Sequence, residues 1–160
     1  MSTTLDVSPE HANELVLARR LDASPDAVFR CWAEPELMKR WFTPPPWRTT
    51  HVETDLRPGG ASLVVMEGPN GERVENRGVY LAVEPGRRLV FTDAFTCAWV
   101  PSGKAFMVAE ATFEPDGDGA RYVARVRHWS AEDKAAHEAM GFHAGWGAVA
   151  EQLEAVARTL

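Results

Sequence analysis

Cysteine is scarce in this chain, with Cys31 and Cys97 the only two among 160 residues. Two cysteines cannot make the framework of staples that holds small secreted domains together, and their separation matches no zinc-ligand spacing. Cys31 falls in a helical stretch and reads as a small core residue, whereas Cys97 falls in a loop. Long hydrophobic runs are also missing. No stretch of about eighteen apolar residues occurs, so nothing reads as a membrane span. Positive charge is in deficit, with 17 Lys and Arg against 23 Asp and Glu and a net charge of −6. That balance argues against a nucleic-acid partner, which calls for a basic face, and against an anionic membrane surface. There is no phosphate-cradling glycine loop, no nucleophile elbow and no zinc signature. The expectation is a chain without cofactor or metal. Residues 1–13 are polar, lack the apolar core of a secretion signal, and read as a flexible tail. Residues 14–160 read as one domain, and the expected compartment is cytoplasmic.

Bulky apolar residues are present in quantity. Hydrophobic residues make up 45% of the chain, with six tryptophans and seven phenylalanines. They suit a core, a pocket or an interface, the last leaving a homodimer open. Glu14 to Leu21 reads as a first strand. Ser24-Pro25 then opens a helix, serine as the cap and proline at the first helical position. Glu34-Pro35 opens a second short helix, with Leu37, Met38 and Trp41 on its apolar side. Thr43 to Trp47 carries three consecutive prolines and must be extended. From Thr50 the period becomes two. Runs of alternating residues are separated by Arg57-Pro58-Gly59-Gly60, Gly68-Pro69-Asn70-Gly71, Pro85-Gly86 and Pro115-Asp116-Gly117-Asp118-Gly119, all turn signals. Phe95 to Ala105 reads as a loop.

The last stretch, Ser130 to Leu160, has helical periodicity. Ser130 is the expected cap. Trp146, Val149, Ala150, Leu153, Val156, Ala157 and Leu160 form an apolar stripe, with Glu151, Gln152, Glu154 and Arg158 opposite. Gly141, Gly145 and Gly147 are unusual inside a helix, at about 1 kcal/mol each against alanine. Either something approaches the helix closely, or the stretch breaks near Gly141 into two helices. Tight turns join antiparallel neighbours, and an antiparallel sheet needs its apolar face covered. The expected architecture is α+β: a curved antiparallel sheet through residues 48–128, wrapped around a long C-terminal helix over about 131–158, with two short helices after the first strand.

Several segments add a resemblance to that order. Arg20-Leu21-Asp22-Ala23-Ser24-Pro25-Asp26-Ala27-Val28-Phe29 resembles the opening strand-to-helix segment of one branch of the START-like, birch-pollen-allergen-like helix-grip proteins. Glu34-Pro35-Glu36-Leu37-Met38-Lys39-Arg40-Trp41-Phe42 resembles its second helix, and Asp55-Leu56-Arg57-Pro58-Gly59-Gly60 its glycine turn. Gly78 to Pro85 with Leu89-Val90-Phe91-Thr92 resembles its central hairpin, and Gly141-Phe142-His143-Ala144-Gly145-Trp146 its terminal-helix signature. The branch is the family named for homology to the activator of the heat-shock-protein-90 ATPase, and the resemblance spans about residues 15 to 158. It implies a helix-grip fold with a cavity between sheet and helix that holds an apolar small molecule. Lipid carriers, hormone receptors, polyketide cyclases and aromatases share that fold, which therefore does not select a function.

The ligand-binding expectation rests on aromatics from separate elements that should converge on the terminal helix: Trp41, Phe91, Phe95, Trp99, Phe113, Phe142 and Trp146. The competing reading is a filled, dry core. His128 shares its strand phase with Tyr122, Ala124 and Val126. If that face is internal, it reaches the cavity mouth; otherwise it is a surface or capping residue. His137 and His143 are not at a chelating spacing and read as surface residues. His51, Glu53 and Asp55 share one strand face and could hold a metal, but Val52 and Leu56 claim the inner side, which leaves the three solvated. Glu110 alternates with Ala109 and Ala111 and should point to water. No residue is assigned a catalytic role. The leading reading is a domain that binds or carries a small apolar or aromatic molecule. The alternatives are a cyclase- or aromatase-type enzyme using a cavity His, Tyr80 or an acid, and a chaperone-regulating or other protein-interaction module.

Overall fold

A computed structural model describes Met1–Leu160. Its main sheet has eight strands, all paired antiparallel, in the spatial order β1-β2-β10-β9-β6-β5-β4-β3. The strands are β1 (Thr3–Thr4), β2 (Glu14–Leu21), β3 (Arg48–Thr54), β4 (Ala61–Glu67), β5 (Arg73–Glu84), β6 (Arg88–Thr92), β9 (Met107–Asp116) and β10 (Gly119–His128). A small hairpin of β7 (Phe95–Cys97) and β8 (Val100–Pro101) forms a second sheet beside β4 and β5, with the Ala98 N–H donating to the Gly59 carbonyl at 2.9 Å. Helices α1 (Pro25–Ala33) and α2 (Pro35–Met38) follow β2, and α3 (Ala131–Ala139) and α4 (Phe142–Ala157) end the chain. Register shifts at Tyr80/Ala82 and Thr49/His51 bend the sheet, as bulges do. This is the helix-grip architecture expected from the turn spacing. No helix is long and apolar enough to cross a membrane.

Three local features differ from the sequence reading. The single terminal helix is two. Ser130 caps α3 by accepting from the Asp133 amide at 3.1 Å, but Gly141 takes φ +89° and α4 starts beyond it. A left-handed residue ends the helical hydrogen-bond ladder, and glycine adopts it without Cβ strain. The polar face of α4 is also not all solvated. Gln152 donates to the Trp41 and Thr43 carbonyls at 2.9 and 2.8 Å. Glu154 is buried, accepts from the Asp22 amide at 2.8 Å and pairs with the Met1 amine at 2.7 Å. These two side chains bolt α4 to the segments flanking α1 and α2. Finally, the segment read as a loose tail carries β1, and Leu5 continues it by donating to the Ala18 carbonyl.

The core forms where the inner sheet face meets α1 and α4. Leu15, Leu17, Leu21, Val28, Phe113, Val126 and Leu153 are buried there. A proline supplies one anchor for the α1–α2 corner. Position 35 has no amide hydrogen, so the Cys31 carbonyl lacks its usual helical donor. The Trp41 indole N–H donates to that carbonyl at 2.9 Å instead.

Candidate functional site

The alternation of β4, β6, β9 and β10 sends Val64, Met66, Phe91, Met107 and Tyr122 inward. Opposite them, α1 and the segment after α2 contribute Trp32, Trp41 and Phe42, while α3 and α4 contribute His137, Phe142, Trp146 and Val149. Together they enclose a cavity of about 470 Å³ between sheet and helices. The break at Gly141 shapes one end of it, since Met140, Gly141 and Gly145 are all lining residues. The aromatic wall is continuous. Trp32 lies 5.0 Å from Trp41 and 5.5 Å from Phe91, centroid to centroid. Phe142 lies 5.1 Å from both Trp146 and His137. Arg77, Asp93 and Lys104 add charge to the lining.

Of the residues that the sequence reading assigned to a ligand, Trp41, Phe91, Phe142 and Trp146 line this cavity. The other four sit elsewhere. Phe113 is packed core, buried against Phe29 at 5.8 Å and Tyr122 at 6.1 Å. Phe95 and Trp99 belong to the β7–β8 hairpin, where they pack edge to face at 6.1 Å, and Trp99 is 79% exposed. The hairpin is a separate two-stranded unit, so its aromatics do not converge on α4. His128 has the inward phase, but it is buried behind His137, which α3 folds over the end of β10. Trp32, Phe42 and Tyr122 line the cavity without having been singled out, and His137, read as a surface residue, lines it as well. The signal for Tyr122 was available, because it shares its phase with His128. Nothing in the spacing of His137 marked it.

The two histidines form a chain. His128 Nδ1 is 2.8 Å from the Phe106 carbonyl oxygen, and His128 Nε2 is 3.0 Å from His137 Nδ1. The peptide that carries the Phe106 carbonyl donates its other end, the Met107 N–H, to Asp93 Oδ1 at 3.2 Å. Burial, with the neighbouring His128, pushes the His137 pKa down from 6.5 to about 4, so His137 is neutral at pH 7. Further along the wall, burial pushes the Tyr122 phenol well above the usual tyrosine range and keeps it protonated. Trp32 Nε1 is buried with no hydrogen-bond partner of normal length. Its polar neighbour on the same wall is the Tyr122 hydroxyl, with which it makes no hydrogen bond.

Other candidate groups lie outside the cavity. His51 Nε2 is 2.8 Å from Glu53 Oε2, both well exposed, and Asp55 is held by Arg57 at 2.9 Å. No cluster of three or more His, Cys, Asp or Glu is arranged to hold a metal ion. Glu110 bonds Arg88 at 2.6 Å, away from the cavity lining. Tyr80 is buried in the core with its phenol pushed up by burial. Burial likewise pushes the Cys31 thiol up to about 11, which leaves it a poor nucleophile.

Comparison with known proteins places residues 22–158 in a match to the family model described as activator of Hsp90 ATPase homolog 1-like protein. No protein with a curated description matches the chain. Among solved structures, protein NE0264 from Nitrosomonas europaea is 37% identical, with TM-score 0.89 over 93% of this chain and 97% of that one. Two others, below 25% identity, speak for the fold alone. Protein Ms6760 from Mycobacterium smegmatis is 24% identical, with TM-score 0.80 over 96% of each chain. An AHSA1-like protein from Aeromonas hydrophila is 18% identical, with TM-score 0.71 over 91% of this chain and 92% of that one.

Proposed function

The chain belongs to the family of activator of Hsp90 ATPase homolog 1-like proteins, and from that premise we propose that it binds or carries one small, mostly apolar or aromatic molecule between the sheet and α4. The observation that carries this reading is the aromatic-walled cavity of about 470 Å³. Its size falls in the range of about 300–1,000 Å³ usual for small-molecule sites, and apolar walls with a few placed polar groups are their usual chemistry. A dry core would close such a space, because interiors pack to crystal-like density. The proposed role is binding without turnover.

The family description supports a second reading more directly than it supports a carried ligand: a protein-interaction module that regulates a chaperone. Apolar side chains are available at the surface for such a partner, among them Trp99, Val100, Trp129 and Met140. One experiment separates the two. Freshly purified chain is taken through native mass spectrometry, and in parallel its effect on ATP hydrolysis by purified Hsp90 is measured. The ligand reading expects a species heavier than the 17.7 kDa chain, with the added mass lost on denaturation and no change in ATP hydrolysis. A bare chain that biphenyl does not bind, together with faster ATP hydrolysis, would establish the interaction reading in its place.

A further inference from the structure

Two polar side chains of the cavity have hydrogen-bonding senses fixed by their neighbours. The Phe106 carbonyl oxygen can only accept, so His128 Nδ1 carries a hydrogen. A neutral imidazole has one, which leaves His128 Nε2 as an acceptor. His137 Nδ1 must therefore donate to it, and the lone pair of the cavity-lining His137 falls on Nε2, which has no partner within the protein. Asp93 reinforces this arrangement. By accepting from the Met107 N–H it polarises the peptide whose carbonyl orients His128. Phe106, Phe142 and Trp146 flank the His137 ring.

The second group has the opposite sense. An indole N–H can only donate, and Trp32 Nε1 has no hydrogen-bond partner, so its dipole turns the oxygen rather than the hydrogen of the neighbouring Tyr122 hydroxyl toward it. The hydroxyl hydrogen is then left for the cavity that both residues line. The two groups lie at different levels. Tyr122 precedes His128 by six residues on β10, roughly 20 Å between Cα atoms along a strand.

Accepting the cavity as a ligand site, we infer that it selects an elongated aromatic molecule with a hydroxyl group at one end, donating to His137 Nε2, and an oxygen acceptor such as a ketone at the other, accepting from the Tyr122 hydroxyl. A pure hydrocarbon would strand both polar groups in an apolar wall. A carboxylate at the His137 end would face a lone pair.

The test is isothermal titration at neutral pH with biphenyls. The full probe carries a para-acetyl group on one ring and a para-hydroxyl on the other. Its methyl ether lacks the donor, and para-hydroxybiphenyl lacks the acceptor. The expected result is a loss of roughly three- to tenfold in affinity for each deletion, the size of one net hydrogen bond. His137→Phe should abolish the preference for hydroxyl over methyl ether, and Tyr122→Phe the preference for the acetyl group. The comparison within the unmodified protein stands even where a variant fails to fold. Equal binding of all three probes would overturn this inference and leave the ligand reading intact. Binding of none of them, nor of biphenyl itself, would overturn the ligand reading and this inference with it.

Discussion

Two tryptophans offer a matched pair for measuring what an unpartnered N–H costs this protein. Trp32 and Trp41 are both buried, at 4% and 1% exposure, and their rings touch at 5.0 Å. Trp41 Nε1 donates to the Cys31 carbonyl at 2.9 Å, whereas Trp32 Nε1 has no such partner. Replacing either by phenylalanine removes the same atoms, so the losses from transfer and from the space left behind should be alike, about 1–2 kcal/mol. The polar contributions differ in sign. Trp32→Phe removes a buried, unsatisfied donor and recovers about 1–3 kcal/mol. Trp41→Phe breaks a hydrogen bond and leaves the Cys31 carbonyl without a donor, because Pro35 cannot supply one, and so costs a further ~1–3 kcal/mol. Trp32→Phe is therefore expected to be near neutral, and Trp41→Phe to be less stable than it by about 2–6 kcal/mol. Urea unfolding followed by circular dichroism gives the two midpoints without relying on tryptophan emission, and an unchanged m-value licenses their comparison. Equal losses in the two variants would refute the reasoning, since they would show that the Trp32 N–H is satisfied in the folded chain.

Other predictions follow from single contacts. A Cβ at Gly60 would collide with the Asp55 carbonyl oxygen, whereas Gly71, at φ +83°, has nothing near it. Gly71→Ala should cost only the left-handed strain of about 1 kcal/mol, and Gly60→Ala clearly more, read as thermal midpoints. Burial pushes the Glu14 carboxyl up, but the Glu10 amide, Arg125 and Arg127 outweigh it and hold the group below the usual glutamate range. Its bonds to the two arginines are 2.7 and 2.8 Å. Glu14→Gln should cost about 2–3 kcal/mol, less than the ~3–5 of a fully buried pair because Arg127 is a third exposed; an unchanged urea midpoint would contradict this. His137 titrates at about 4 when folded against an ordinary 6.5. Below pH 6.5 the unfolded chain takes up a proton that the folded chain refuses, so this contribution is complete above 6.5 and lost as pH falls to about 4. His137→Phe should flatten the stability profile in that window, and an identical slope in both proteins would contradict the assignment.

The sheet was legible in the sequence because its signals are local. Gly68-Pro69-Asn70-Gly71 and Pro115 to Gly119 announce hairpins by turn chemistry, and Ala109, Ala111 and Phe113 announce an inner face by period alone. The cavity wall was legible where a bulky aromatic sat on an element facing the terminal helix, as for Phe91 on β6 and Phe142 on α4, and where the apolar stripe gave the direction, as for Trp146. What was not legible depends on partners remote in sequence. Gln152 and Glu154 look like solvated positions on a helical wheel until the Trp41 and Thr43 carbonyls and the Asp22 amide arrive beside them. His137 becomes a cavity residue only because the turn at Gly141 folds α3 over the end of β10. Phe95 and Trp99 have the composition of a pocket wall, but their hairpin pairs with itself.

The central claim is that the space between sheet and α4 receives a small aromatic molecule. Amide and indole N–H spectra of the nitrogen-labelled chain, recorded through a titration with biphenyl, test it most directly. Each of the six tryptophans gives its own indole signal. The account predicts saturable shifts for the Trp32 and Trp146 indoles and for the amides of Phe91, Tyr122 and Phe142, while the exposed Trp99 and Trp129 stay in place. Shifts confined to Trp99 and Trp129, or no saturable shift at any cavity residue, would contradict it.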